Sequence, residues 1–284
     1  MINYDNIILD NVKRRLIYVM YIDPTINSFN DSVAYKVHLK TLKRIFSYRN
    51  AFSEVIFIIT VDDFDNPLVK DLKYKISSLF INIKNFRIIV EKNDPYHREG
   101  KMFKKYVLGK LDDYDGITLF FHTKGLDNKW KDKFPFAWVL GQYFFNTISQ
   151  KLYIHNFIKD DHKLLLGWPY IKNENQRQWL YAGACYWMKC QEISKYLQEH
   201  PQEFEDRLET RTLAEFYFLT RIEQSRADYP LSNIIKDDIT LYGSYDINDN
   251  VSFVSYLQKT LPYDAYVEFI NFYNSIVNDL DSDI

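Results

Sequence analysis

The segment "GITLFFHTKG", residues 116–125, decides the reading of this chain. Ile117 to Phe121 is an apolar run with Thr118 as its one polar residue, the pattern of a strand buried on both faces. It stops abruptly on His122, Thr123, Lys124 and Gly125. Strands of this kind belong to parallel sheets covered by helices, and such sheets bind ligands beyond the carboxyl ends of their strands. A histidine, a hydroxyl, a lysine and a turn-forming glycine are therefore expected at the mouth of a crevice.

The pattern repeats upstream. "RLIYVMYID" (15–23), "EVIFIITVDDFDNP" (54–67) and "NFRIIVEKND" (85–94) are three further apolar runs, each ending in polar residues. Helical stripes separate them. Val33, Val37, Leu42, Ile45 and Phe46 mark the first, within 31–49. Val69, Leu72, Ile76 and Phe80 mark the second, with Pro67 at its first position and Asn66 as its cap. Met102, Phe103, Tyr106, Val107 and Leu111 mark the third. The order β-α-β-α-β-α-β predicts an α/β fold, a Rossmann-type, mostly parallel sheet with helices on both faces. The strand ends "YIDP", "VDDFDN", "EKNDPYHREG" and "HTKG" would then converge on one edge.

The second half is less regular. Helices are expected over 134–153, 207–223 and 262–280. A short strand and turn is expected over 163–171, and a passage from extended chain through a glycine into a helix over 178–197. No Pro/Gly/Ser-rich linker and no repeat interrupts the chain, which favours a single domain spanning 1–284.

Composition narrows the function. The chain has 284 residues, 46% hydrophobic and 26% charged, as an ordinary globular protein does. Its 17% aromatic content we attribute to an AT-rich coding sequence rather than to binding platforms. A net charge of -2 lacks the basic surplus of a nucleic-acid binder. The basic run Lys40 to Arg44 reads as a solvated helix face. Cys185 and Cys190, the two cysteines, read as buried free thiols. No signal peptide and no transmembrane segment is read, so the expected location is the cytoplasm, or a host's cytoplasm for a viral or phage protein.

P-loop, dinucleotide-binding, zinc-protease and nucleophile-elbow fingerprints are all missing. Two Asp-x-Asp triplets occur. Asp113-Tyr114-Asp115 precedes a strand, so it falls on the wrong sheet edge and reads as a turn. Asp62, Asp63 and Asp65 follow the second strand on the ligand edge. Asp62 is the candidate there, and Asp65 reads as turn or cap chemistry. At the fourth strand end, Lys124 could pair with phosphate as a point charge and Thr123 add a hydroxyl. His122 could bind a metal, donate to a phosphate, or simply pack.

The segment "DYDGITLFFHTKGLDNKW" resembles GT-A-like glycosyltransferases of viruses, phages and bacterial polysaccharide clusters, in which a strand ends in His-(Ser/Thr)-Lys-Gly and a tryptophan follows. "YAGACYWMK" (181–189) is similar to that group's small-Gly-aromatic-Trp pattern. "RTLAEFYF" (211–218) and "HREGKMFKKYVL" (97–108) resemble it more loosely. The likeness covers about residues 95–220. It departs from the group at Ala184, often Asn, and at Tyr186. It also carries His122-Thr123-Lys124 where the fold usually places a metal-binding Asp-x-Asp.

The resemblance implies a glycosyltransferase using a nucleotide-diphosphate sugar, a UDP-sugar first, with residues 1–130 as the nucleotide-sugar-binding half and 131–284 as the acceptor half. Tyr21 and Asp23 would meet the base and ribose. Asp62, Arg98, Lys101, His122, Thr123, Lys124 and Gly125 would complete the donor site. Trp168, Tyr181, Ala182 and Gly183 would line the sugar or acceptor pocket, and Trp187 would be core. Glu215, with Glu209 behind it, is the candidate base, against an Arg211–Glu215 helix pair. Mn²⁺ or Mg²⁺ would bind at His122 or Asp62 if at all, because Lys124 could neutralise the leaving diphosphate itself. The acceptor stays open between glycan, lipid carrier, protein and modified DNA. The rival readings are a non-catalytic nucleotide-sugar or carbohydrate-binding module and a nucleotidyltransferase or phosphotransferase.

Overall fold

Four apolar runs become the parallel strands β1 (Arg14–Ile22), β2 (Glu54–Val61), β3 (Asn85–Lys92) and β4 (Ile117–His122), in the spatial order β3-β2-β1-β4. The computed structural model describes residues 12–46, 52–96, 98–123, 126, 136–148, 151–168, 170–173, 178–181, 185–201, 218–228 and 250–282. Beyond β4 the sheet continues through strands from the second half. These are β5 (Leu165–Gly167), β8 (Tyr186–Lys189) and β9 (Ala227–Asp228). They complete a seven-stranded sheet, β3-β2-β1-β4-β8-β5-β9, in which β8 runs antiparallel to both β4 and β5. A separate antiparallel pair joins β6 (Tyr170–Asn173) to β7 (Gln178–Tyr181).

The handedness of the crossovers sets the layers. The path β1, α1 (Val33–Phe46), β2, α2 (Pro67–Leu79), β3 steps one way across the sheet. Then α3 (Arg98–Tyr106) carries the chain back past β1 to β4. Right-handed crossovers in opposite directions place their helices on opposite faces. The core divides accordingly. Leu16, Tyr18, Met20 and Ile22 of β1 pack with Val37, Leu42, Leu72 and Ile76 of α1 and α2. The alternate residues Ile17 and Val19 pack with Met102, Phe103 and Val107 at α3.

Local chemistry fixes the boundaries. Asn66 accepts a hydrogen bond from the Leu68 N–H at 2.9 Å with Pro67 in the first turn, so α2 starts where its cap predicts. Gly116 has φ +155, and a Cβ there would lie 2.2 Å from the Lys13 carbonyl oxygen, so the turn into β4 requires glycine. The Asp113-Tyr114-Asp115 triplet lies in that same turn region before β4, with Asp113 paired to Lys110 at 3.0 Å.

Two expectations are revised, and a third lies mostly outside the described residues. The helix expected over 134–153 is α4 (Phe136–Tyr143), a π turn (Phe144–Ile148) and α5 (Lys151–Lys159). Buried Asn146 accounts for the break. Its amide donates to the carbonyls of Gln142 (3.0 Å) and Trp168 (2.6 Å), and its side-chain oxygen accepts from the Trp168 N–H (3.0 Å). These bonds compete with the helical ladder. The expected 207–223 helix lies mostly outside the described residues, and only a 3₁₀ turn at Leu219–Arg221 is seen within it. Lys40, expected on a solvated face, is buried at 6% exposure and pairs with Asp279 at 3.3 Å.

The remaining helices are α6 (Cys190–Glu199), α7 (Asn250–Thr260) and α8 (Tyr263–Val277). α7 and α8 extend the α1 face of the core through Phe253, Leu257, Phe269 and Phe272. Cys185 and Cys190 are buried free thiols. Among the described residues, no helix is long and apolar enough to cross a membrane.

Candidate functional site

The strand order reverses at β1: β2 and β3 lie on one side, β4 on the other. The carboxyl ends of β1 and β4 stand side by side there, and sheets of this kind bind ligands in a crevice outside the carboxyl ends of their strands. The fourth strand end sits at this point. Val19 is opposite His122, and the Thr123 N–H extends the ladder by donating to the Val19 carbonyl at 2.9 Å. His122 is 4% exposed and its ring stacks with Phe120 at 6.4 Å, so the imidazole belongs to the floor beneath the crevice. Lys124 and Gly125 lie outside the described residues.

Antiparallel β8 brings a second segment to the same edge. Tyr186 pairs with Phe120, so Cys185, just before it, stands level with the carboxyl end of β4. Tyr181 is the last residue of β7; Ala182 and Gly183, which follow it in the sequence, lie outside the described residues, as do Glu209 and Glu215.

On the other side of β1, one carboxylate ties three strands together. The Tyr21 hydroxyl donates to Asp62 Oδ2 at 2.7 Å, and Asn93 Nδ2 donates to Asp62 Oδ1 at 2.8 Å. Lys92 Nζ donates to the Asp62 backbone carbonyl at 2.5 Å. Burial raises the Tyr21 pKa well above its ordinary value. The hydrogen bond to Asp62 and the charges of Asp62 and Asp23 push it the same way, against a smaller pull from the Arg98 charge. The phenol is thus held as a donor.

Nearby groups are used locally. Asp23 is 5% exposed, and its carboxylate accepts from the Thr25 N–H (2.8 Å) and hydroxyl (2.7 Å). The Tyr35 hydroxyl accepts from the Asp23 N–H and donates to the Tyr21 carbonyl, both at 2.7 Å. Asp23 therefore shapes the turn after β1. Asp63 accepts from the Asp65 N–H at 3.0 Å, which is turn chemistry. Lys101 lies 3.6 Å from Asp94. Arg98 opens α3 with φ 42, the only positive-φ residue other than glycine among the described residues. Such backbone costs about 1–3 kcal/mol and gathers at functional sites. Phe64 and Tyr96, on the loops after β2 and β3, are exposed.

One expected role does not match the geometry. Trp168 is 3% exposed and packs against Phe145 and Phe253, so its place is the aromatic core rather than a sugar face. A metal is expected at His122 or at Asp62 as alternatives, and one ion cannot bridge the two. β1 separates their strands, which sets them about 10 Å apart at sheet spacing. Among the described residues, no three His, Cys, Asp or Glu side chains gather as a metal cluster.

Sequence reasoning passed over Asn93 and Lys92. The signal was there in part. Val61 pairs with Lys92, so Asn93 must stand beside Asp62 once β2 and β3 are known to be neighbours.

No protein-family model and no curated protein matches the chain. Among solved structures, it is similar to a cytidylyltransferase from Leptospira borgpetersenii serovar Hardjo-bovis. The identity is 12% over 96% of this chain and 98% of that one, with a TM-score of 0.41. It is also similar to the 4-diphosphocytidyl-2C-methyl-D-erythritol synthase from Anaerococcus prevotii. There the identity is 11% over 78% of this chain and 88% of that one, with a TM-score of 0.34. Likeness at this level says nothing of what this chain binds.

Proposed function

We propose that this chain is a nucleotide-sugar-dependent glycosyltransferase of GT-A-like type. It takes a sugar from a nucleotide-diphosphate donor, a UDP-sugar first, and passes it to an acceptor hydroxyl. The observation that carries the reading is the crevice at the reversal of strand order. The end of β4 and the start of β8 stand on one side of β1, and the Asp62 cluster on the other. The β4 segment and the segment that includes β8 are those whose sequences resemble the glycosyltransferase group. In this reading the nucleoside lies over Tyr21 and Asp62, and the diphosphate lies toward Thr123 and Lys124, with Arg98 and Lys101 near it. The Lys124 ammonium neutralises the charge that develops on the leaving diphosphate. Tyr181, Ala182 and Gly183 face the transferred sugar, and Glu215 takes the acceptor proton.

The test is incubation with a panel of nucleotide sugars, with and without EDTA, for the wild type and Lys124→Ala. Donor hydrolysis or transfer that falls by about 100-fold or more in Lys124→Ala supports the assignment. Donor binding without turnover points to a binding module. Pyrophosphate release from a nucleoside triphosphate and a sugar phosphate points to a nucleotidyltransferase. No binding of any nucleotide sugar ends the proposal.

A further inference from the structure

Asp62 is half-buried at the rim of the crevice, and its carboxylate is held from two directions. Tyr21 grips Oδ2 from β1, and Asn93 grips Oδ1 from just past β3. Its main chain is held as well. Lys92 bonds the Asp62 carbonyl at 2.5 Å, and the Asn93 N–H bonds the Val61 carbonyl at 2.7 Å. An ionised carboxylate offers about four lone-pair sites, so two bonds leave roughly half of its accepting capacity. An aspartate on a strand-end loop ordinarily loses rotamer freedom when it captures a ligand. One already fixed does not, and that preorganisation appears as affinity.

From this geometry we infer that Asn93 and Tyr21 are positioning residues. They hold the Asp62 carboxylate as a fixed acceptor for hydrogen-bond donors, O–H or N–H, on the nucleoside part of the donor. The inference rests on the nucleotide-sugar reading above. Tyr21 suits the task because its phenol stays protonated and its bond to Asp62 keeps one polarity. Asn93 suits it because an amide nitrogen can only donate. Neither needs to touch the ligand.

The experiment is a double-mutant cycle read by calorimetric binding of free nucleoside diphosphates. UDP, CDP, GDP and ADP are compared first on the wild type, and the tightest is carried forward. Asn93→Ala and Tyr21→Phe should each weaken binding about tenfold, and Asp62→Ala by at least as much. In the Asp62→Ala background, both should become neutral within about twofold, because residues acting through one carboxylate lose their effect with it. Tyr21→Phe keeps the ring and removes one hydroxyl, so it remains informative should Asn93→Ala fold poorly. Wild-type binding left unchanged by both single variants overturns the positioning role and leaves the nucleotide reading standing. So do effects that persist undiminished without Asp62, as they would if the two residues merely supported the fold. Absence of binding by all four diphosphates overturns the nucleotide reading and the inference together.

Discussion

The two edges of the central sheet use polar side chains in opposite ways. At the amino edge, Arg15 is 3% exposed. Its Nε donates to the Thr118 hydroxyl at 3.0 Å, and its guanidinium lies over the Tyr114 ring at 4.2 Å. The Cys190 thiol donates to the same hydroxyl at 3.1 Å. These groups bond one another in a buried cluster. At the carboxyl edge, Tyr21 near the end of β1 and Asp62 and Asn93 just past β2 and β3 also bond one another, but they are only half-buried. A closed polar cluster contributes stability, because opening it strands buried donors and acceptors. A pinned but accessible one contributes a surface of defined chemistry. Substitutions should separate the two edges cleanly.

The largest effect is expected at high pH. Burial raises the pKa of Tyr18, Tyr35 and Tyr143 in the core, of Tyr21 at the carboxyl edge, and of Tyr114 at the amino edge, the last to about 12. A phenol whose folded pKa exceeds its unfolded value, near 10.0, contributes stability fully present below that value and lost as pH rises through the folded pKa. Each such group removes about 1.4 kcal/mol per pH unit in that window. Tyrosinate absorbance from these groups should therefore appear together with loss of ellipticity in one cooperative alkaline transition. A rise in their absorbance while the fold persists would show that the edges are open to hydroxide and erase the distinction.

Next in size is Arg15→Ala. It takes one of the two donors from the Thr118 hydroxyl, removes the cation–π contact and leaves a cavity, at a cost of about 3 kcal/mol. Denaturant unfolding measures it, and nucleotide affinity of the folded fraction should not change. Asp62→Asn is the counterpart at the other edge. Its stability should move by less than about 1 kcal/mol, while nucleoside diphosphate affinity falls about tenfold, because one oxygen becomes a donor facing the Asn93 or Tyr21 donor. Equal stability losses for the two variants would show that the carboxyl edge is structural as well.

The same contrast explains what the sequence made legible. The inner parallel strands announced themselves because burial on both faces forces near-continuous apolar runs, and Asn66-Pro67 marked α2 through purely local bonds. Contacts between distant segments left no such trace. β8 is antiparallel because of a pairing between Phe120 and Tyr186 that no local pattern encodes. α7 went unpredicted because its buried face is only Phe253 and Leu257. Its first residue, Asn250, accepts from the Ala137 N–H of α4 at 2.9 Å, so the cap serves another helix. The break at Asn146 depends on Trp168, whose burial also overrode its expected sugar contact. At the site, the polar strand ends were visible, but the choice of Asp62 as hub needed the order β3-β2-β1. The left-handed Arg98 had no sequence signal at all.

The smallest effect tests where the carboxyl edge gives way to ordinary surface. Glu91, near the end of β3, pairs with Lys105 of α3 at 2.5 Å and accepts from the Tyr106 hydroxyl. Burial pushes the Glu91 pKa up, but the bonds from Lys105 and Tyr106 outweigh it and leave it below the usual value. The Glu91 bond holds the Lys105 pKa above its own. The signs agree. The glutamate's contribution is present above its unfolded pKa and lost as pH falls through the lowered folded value. The lysine's is present below its unfolded pKa and lost only in strong alkali. Because Lys105 is more than half exposed, solvent screens the pair, and Glu91→Gln should cost only about 0.5 kcal/mol at neutral pH. That difference should shrink in high salt and vanish in acid, with nucleotide affinity unchanged throughout. A loss of affinity in Glu91→Gln would extend the binding edge outward from Asn93 along β3, and the boundary drawn here at Asp62 and Asn93 would have to move.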